Sequence, residues 1–280
     1  MKRLFKQLFT SVIFINTSCV LAEHQPLWEV HAGLVGMQLP HYRGSNSYST
    51  PIYPFPALIY RGEHLKASDG KIQGLLYTSE IVNLDVSLAG SLPASPDDNS
   101  ARTGMPRLDT TFEIGPSLIT HFWKSEDKNT RLSLELPIRT AFSININSST
   151  IRNRGWTFAP SIGIKHHLNN WKGEVLFGPI FADRRYHGYF YDVPAQYETS
   201  VRPTYNAKSG YSGNRITLSI DKHFKKLSVI GLVRYDVLSN SVFMDSPLIE
   251  RSNNLSIGLV IMWQVKKSKR SIGHAEGKQP

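Results

Sequence analysis

Asn254-Leu255-Ser256-Ile257-Gly258-Leu259-Val260-Ile261-Met262-Trp263 is the stretch whose reading decides the fold. Its odd positions, Leu255, Ile257, Leu259, Ile261 and Trp263, are all large and apolar, while its even positions begin with Asn254, Ser256 and Gly258. Alternation with period two marks a β-strand with one strongly apolar face. The 10 residues suit a tilted strand crossing a bilayer, and the aromatic at the end suits a membrane interface. Backbone donors and acceptors at a strand edge find no water in hydrocarbon, so such a strand must pair on both sides and the sheet must close. The reading is therefore an all-β fold, a transmembrane antiparallel up-and-down β-barrel, with the rest of the chain supplying the other staves.

Working back from this strand, the same alternation recurs. Leu227, Val229, Val233 and Tyr235 lie opposite Arg234 and Asp236, and Ile216, Leu218 and Ile220 opposite Arg215, Thr217, Ser219 and Asp221. Trp171, Val175, Phe177 and Phe181 oppose Lys172 and Glu174; Trp156, Phe158, Ile162 and Ile164 oppose Thr157, Ser161 and Lys165. The most regular run sets Leu132, Leu134, Leu136, Ile138, Phe142 and Ile144 against Arg131, Ser133, Glu135, Arg139 and Ser143. Leu108, Phe112, Ile114 and Leu118 form another apolar face, as do Val82, Leu84, Val86 and Leu88, and Trp28, Val30, Ala32 and Leu34. Between residues 51 and 76 the pattern is hard to read, because Pro51, Pro54 and Pro56 remove ladder donors and imply an edge, a bulge or a partly looped strand.

Loop lengths alternate as outer-membrane barrels require, with short periplasmic turns and long outer loops. The long ones fall at 91–106, 147–154, 184–213 and 239–253; the short ones fall near 77–80, 124–129, 168–170 and 222–226. Reading 51–76 as one interrupted strand gives 10 strands, with 12 as the alternative. A secreted β-sandwich would also alternate, but its second face should be uniformly solvated. Here that face mixes glycine, serine and charges of both signs, as a filled lumen would.

Composition agrees. Charged residues are 19% and aromatics 11% of the 280 residues, and the mean hydropathy is −0.26. A helical membrane protein is excluded by that value; a barrel is not, because half of each strand faces a polar interior. Lys2, Arg3 and Lys6, the apolar run Leu8 to Ile15 and Val20-Leu21-Ala22 read as a secretory signal over 1–22, with cleavage expected after Ala22. The lone Cys19 would leave with it. A lipoprotein reading of Cys19 competes, but Asn16 stands where an apolar residue is expected. Removing the three signal cations leaves 29 basic against 22 acidic residues, or +7. An exported chain seldom meets nucleic acid, and no recognition motif is present, so basic turns and a basic tail over 264–280 account for the excess. The division expected is signal 1–22, barrel 23–263 and tail 264–280.

Few residues suggest chemistry. The inferred interior sets Glu29, Asp85, Asp109, Glu113, Glu135, Glu174, Asp221 and Asp236 against Arg131, Arg139, Lys165, Lys172, Arg215 and Arg234. Near-balanced charge in a narrow barrel describes a salt-bridged plug more readily than a wide pore. His166 and His167 are strand neighbours and diverge, so they make no metal site. His31, His41, His121, His187 and His223 are scattered, and none sits in a nucleophile motif. The tyrosines at 186, 189, 191, 197, 205 and 211 are read as aromatic-belt residues, with a glycan- or drug-binding loop as the other reading. No catalytic, cofactor-binding or metal-binding residue is assigned, and the protein is read as no enzyme.

The residues also resemble the MipA/OmpV family of MltA-interacting proteins. The likeness rests on Pro40-His41-Tyr42-Arg43-Gly44-Ser45, Leu108 to Gly115, Gly178-Pro179, Asp192-Val193-Pro194-Ala195-Gln196 and the Gly258-Leu259 strand ending in an aromatic. Two departures stand out: Arg43 occupies a usually acidic position, and the chain continues past Trp263. The resemblance implies a Gram-negative outer-membrane barrel embedded in outer-membrane lipid. One member resembles a scaffold joining a periplasmic murein transglycosylase to a murein synthase; others are linked to antimicrobial response or adhesion. A scaffold is thus the first expectation, and a narrow transport or ligand-binding barrel the second.

Overall fold

The computed structural model describes residues 26–61, 65–68, 71–74, 77–79, 81–94, 98–145 and 148–270. The expected signal, 1–22, and the last part of the tail, 271–280, lie outside the described residues. The strands are β1 (Trp28–Pro40), β2 (Tyr48–Ser49), β3 (Ile52–Arg61), β4 (Leu65–Ser68), β5 (Lys71–Gly74), β6 (Tyr77–Thr78), β7 (Val82–Ser91) and β8 (Thr110–Lys124). They continue with β9 (Thr130–Asn145), β10 (Thr150–Phe158), β11 (Ser161–Leu168), β12 (Trp171–Ala182), β13 (Gly210–His223), β14 (Leu227–Val237) and β15 (Asn253–Lys267), and α1 covers Arg184–Tyr191.

All belong to one antiparallel ladder, ordered β5-β4-β3-β1-β15-β14-β13-β12-β10-β9-β8-β7-β6, with β2 paired to β1. β11 pairs with both β9 and β12, as β10 does, so β10 and β11 are two halves of one stave broken at Ala159-Pro160. β5 lies beside β7, which brings the two ends of the ladder together.

Burial along β15 settles what surrounds the sheet. Leu255, Ile257, Leu259, Ile261 and Trp263 are 39–58% exposed, whereas Asn254 and Ser256 are 1% and 5% exposed. The same inversion runs round the wall, where Leu118, Ile138, Ile164, Phe177, Leu218 and Val233 are exposed while Asp85, Glu113, Ser133, Asp221 and Asp236 are buried. Water would penalise such a wall by about 25 cal/mol for each Å² of apolar surface left wet. Hydrocarbon removes the penalty, and the ladder satisfies the backbone. The fold is a transmembrane β-barrel. No helix among the described residues is long and apolar enough to cross a membrane.

Several expected boundaries move. The loop expected at 147–154 is mostly strand: β10 pairs Thr150–Phe158 with β9 across a tight connection. A bulge between Asn153 and Gly155 breaks the period-two pattern there, which is why the stretch reads as a loop. Leu108 does not face lipid; it is 2% exposed and bridges to Ala94 above the barrel. The tail expected from 264 begins later, because β15 runs to Lys267 and Leu27 N–H donates to Arg270 O at 2.8 Å.

The stretch expected as one interrupted strand is divided into β3, β4 and β5. Met37 N–H donates to Pro51 O at 3.1 Å, so the odd-numbered residues of β3 bond to β1. Pro54 and Pro56 are even-numbered, and their missing donors would have pointed away from β1. On that side β3 has a described strand partner only at Tyr60 and Arg61. The prolines therefore sit where no ladder donor is used.

Candidate functional site: a capped lumen and a basic rim

The loops at the long-loop end do not project separately. Tyr42, Ala94, Met105, Leu108, Phe190, Tyr191, Val193, Ala207, Leu238, Phe243 and Leu248 come from four loops and form one buried cluster. Tyr191 stacks on Phe243 with centroids 3.9 Å apart, and Leu238, Phe243 and Leu248 are wholly buried. This is a small globular cap closing one mouth of the barrel.

α1 carries the cap down towards the lumen. Its N-cap is Asp183, whose carboxylate accepts from Tyr186 N–H at 2.8 Å and from Trp156 N–H at 3.3 Å. Gly155 makes this possible: its φ is +98°, and a Cβ there would stand 2.0 Å from Asp183 Oδ1. The β10 bulge thus seats the helix. Below it, Tyr186 OH donates to Glu113 Oε1 at 2.9 Å and Thr157 Oγ1 donates to Glu113 Oε2 at 2.8 Å.

His187 is completely buried, with Nδ1 2.6 Å from Lys208 O and Nε2 2.5 Å from Ser212 Oγ. Nδ1–H donates to the carbonyl and Nε2 accepts from the serine in the neutral ring. Burial lowers the His187 pKa below the usual histidine value. A depressed folded pKa contributes stability that is complete above the unfolded value, about 6.5. That stability is lost as pH falls towards the folded value. Loop cleavage by external protease should therefore increase between pH 7.5 and 5. His187→Gln should remove most of this response, leaving the share of His41, whose pKa burial also lowers. A pH-independent cleavage rate in the native chain would contradict the assignment.

Beneath the cap, Asp236 gathers cations. Arg43 Nε lies 3.0 Å from Asp236 Oδ1, and Arg215 Nε and Nη2 lie 2.8 and 3.2 Å from its two oxygens. Arg43 Nη2 also donates to Ser212 O at 2.7 Å. Arg43, the departure from the resembled pattern, is therefore the cation that answers Asp236 across the mouth.

The next residue, Gly44, has φ +94°, and its N–H donates to Asn254 Oδ1 at 2.6 Å. Asn254 Nδ2 donates back to Ser45 O at 2.9 Å, and Gly44 O accepts from Glu250 N–H and Arg251 N–H. Asn254, which opens the strand that decides the fold, thus ties the first outer loop to the last. Asn254→Ala leaves Gly44 N–H, Ser45 O and the Tyr48 hydroxyl, which accepts from Asn254 Nδ2 at 3.2 Å, without this partner and should cost about 1–3 kcal/mol. A lower temperature for the band shift between unboiled and boiled samples on a gel would register it.

The residues expected to matter are redistributed. Glu113 and Asp236 both act electrostatically on Arg215, and Arg139, which donates to Ser87 Oγ at 2.8 Å, lies within electrostatic reach of Glu113 and Arg215. Lys165 pairs with Glu174 near the other rim at 3.8 Å. Among the tyrosines, Tyr186, Tyr189, Tyr191 and Tyr205 pack into the cap rather than forming a belt. His166 bonds Thr130 Oγ1 at 2.8 Å, on the opposite strand face from His167. Sequence pattern alone gives Asn254 a strand position but no partner, and gives Ser212, Asp183 and Phe243 no role; the signal beside them is glycine, since Gly44 and Gly155 stand at positive φ where the loops approach.

The short-turn end differs in chemistry. Lys222 Nζ lies 4.1 Å from the Trp171 ring centroid and 5.2 Å from that of Phe224. Asn170, His223, Phe224, Lys225, Lys226, Leu227 and Trp263 line an open groove beside it. Lys266, Lys267, Lys269 and Arg270 follow on the neighbouring strand end.

An apolar outer wall around a polar, filled lumen, capped by long loops at one mouth, defines an outer-membrane β-barrel. The family model described as MltA-interacting protein MipA matches residues 32–265, and the chain belongs to that family. No curated protein matches the sequence. Among solved structures, it is similar to a bacterial polysaccharide outer membrane secretin at 7% identity, covering 85% of this chain and 99% of that one, with a TM-score of 0.39. It is also similar to the Pseudomonas putida toluene transporter TodX (9% identity, 84% and 88% covered, TM-score 0.32) and to outer membrane protein AlkL (11%, 94% and 100%, 0.23). At these scores the likenesses carry no functional weight.

Proposed function

We propose that this barrel is a non-enzymatic scaffold of the outer membrane that holds murein-cleaving and murein-synthesising enzymes at its periplasmic rim. The observation that carries the reading is the capped outer mouth: a hydrophobic cluster drawn from four loops lies over an Arg–Asp–Arg cross-link. Function then falls to the other end. The family description names MltA as the interaction partner of its members. The strand-end cations Lys266, Lys267, Lys269 and Arg270 offer an exposed contact for an acidic protein surface. Against a hydrolase reading, Ser212 and His187 are buried under the cap at 1% and 0% exposed.

The test is a pull-down of a purified murein transglycosylase with the full-length barrel in detergent. Binding should weaken as salt rises and fall at least fivefold when Lys266, Lys267, Lys269 and Arg270 are all changed to Gln. These substitutions leave the β15 ladder to Trp263 intact. Salt-insensitive binding, or none, would overturn the reading, and ion conductance by the native barrel in planar bilayers would favour transport instead.

A further inference from the structure

Lys222 occupies an unusual place. Ile216, Leu218 and Ile220 alternate along the lipid face of β13 and are 41%, 37% and 44% exposed. Lys222 is the next residue on that same face. Its amine is held over two rings, Trp171 and Phe224, rather than by a carboxylate. Lys225 and Lys226 follow in the turn, both exposed, and no carboxylate pairs with any of the three among the described residues. Trp263 closes the groove from β15, paired to Leu227 in the ladder. Beyond the groove the wall is continuously apolar: Ile220 and Leu218 run up one side, and Ile261 and Leu259 up the other.

We infer that this groove is a binding site for the phosphate headgroup of an anionic phospholipid of the periplasmic leaflet. Short turns place it on the periplasmic side. The aromatic residues place it at the depth where headgroups meet acyl chains. A phosphate seated among Lys222, Lys225 and Lys226 leaves its acyl chains along the strips of β13 and β15. A lysine over aromatic rings is attracted to their faces while its charge still lacks an anion. An acidic protein would meet the charge but has no use for the apolar strips that continue from the groove into the bilayer. A lipid uses both. The inference is independent of the scaffold reading, because that one rests on Lys266 to Arg270 and this one on Lys222 to Lys226.

The experiment is native mass spectrometry of the full chain released from nanodiscs holding equal phosphatidylglycerol and phosphatidylethanolamine. The native protein should retain phosphatidylglycerol preferentially. Lys222→Gln, Lys225→Gln and Lys226→Gln should each reduce that preference by about fivefold, as expected for one cation near an anionic surface. Gln at Lys266, Lys267 and Lys269 should leave it unchanged. The gel shift on boiling confirms that each variant is folded. Equal retention of the two lipids by the native chain would overturn the site, as would a preference that survives all three substitutions in the turn.

Discussion

Asp236→Asn should lower the temperature at which the unboiled gel band converts to the boiled one, and should expose the outer loops to external protease. Asp236 is 2% exposed and its two oxygens take three contacts from Arg43 and Arg215. Asparagine keeps the shape but not the charge, so two guanidinium groups face each other with Arg234 close by. Removing one partner of a buried pair costs about 3–5 kcal/mol. The Arg43 and Arg215 side chains keep 16% and 29% of their exposure, which places the cost at the lower end, about 3 kcal/mol. Combining Asp236→Asn with Arg43→Gln should recover part of the loss, since the two sites are coupled. An unchanged conversion temperature in the single variant would remove Asp236 from the mouth's cross-link.

Phe243→Ala should open the cap while sparing the wall. Phe243 is fully buried, stacked on Tyr191 and edge-on to His187 with centroids 4.9 Å apart. Truncating a buried phenylalanine costs about 3–5 kcal/mol in transfer and cavity terms. The cap has few apolar side chains over which to spread that loss, whereas the staves are held by continuous ladders. The expected result is loop cleavage, a retained gel shift, and ion conductance in planar bilayers above that of the native chain. Intact loops and unchanged conductance would show that something other than this cluster seals the mouth.

The contrast between these two regions marks what was legible in the sequence. Each stave announces itself locally, because successive side chains must choose lipid or lumen, and Leu255 to Trp263 display that choice without reference to the rest of the chain. The interior role of Glu113, Arg215 and Asp236 follows from the same parity. The cap obeys no parity. Tyr42, Leu108, Tyr191 and Phe243 come together from four loops, and nothing in any one loop distinguishes a tyrosine bound for a core from one bound for an interface. β10 was hidden for a different reason: its bulge reverses the alternation halfway, and Arg152 and Arg154 gave it the look of a loop. The proline-rich β3 was half legible, since prolines announce an edge but not which edge.

The seam between β1 and β15 joins the two ends of the chain, pairing Leu34 with Ile261 and Ala32 with Trp263. Distance along the chain is a weak obstacle to such a union, because each doubling of a loop adds only about 0.6 kcal/mol of closure entropy. Timing is the harder constraint. Before β15 arrives, β1 has β3 on one side and bare donors and acceptors on the other. Every shorter intermediate is an unzipped sheet with a sticky margin, prone to pair with a second chain. Whatever escorts this protein to its membrane must therefore chaperone that margin throughout, and can release its cargo only when the last stave has been delivered.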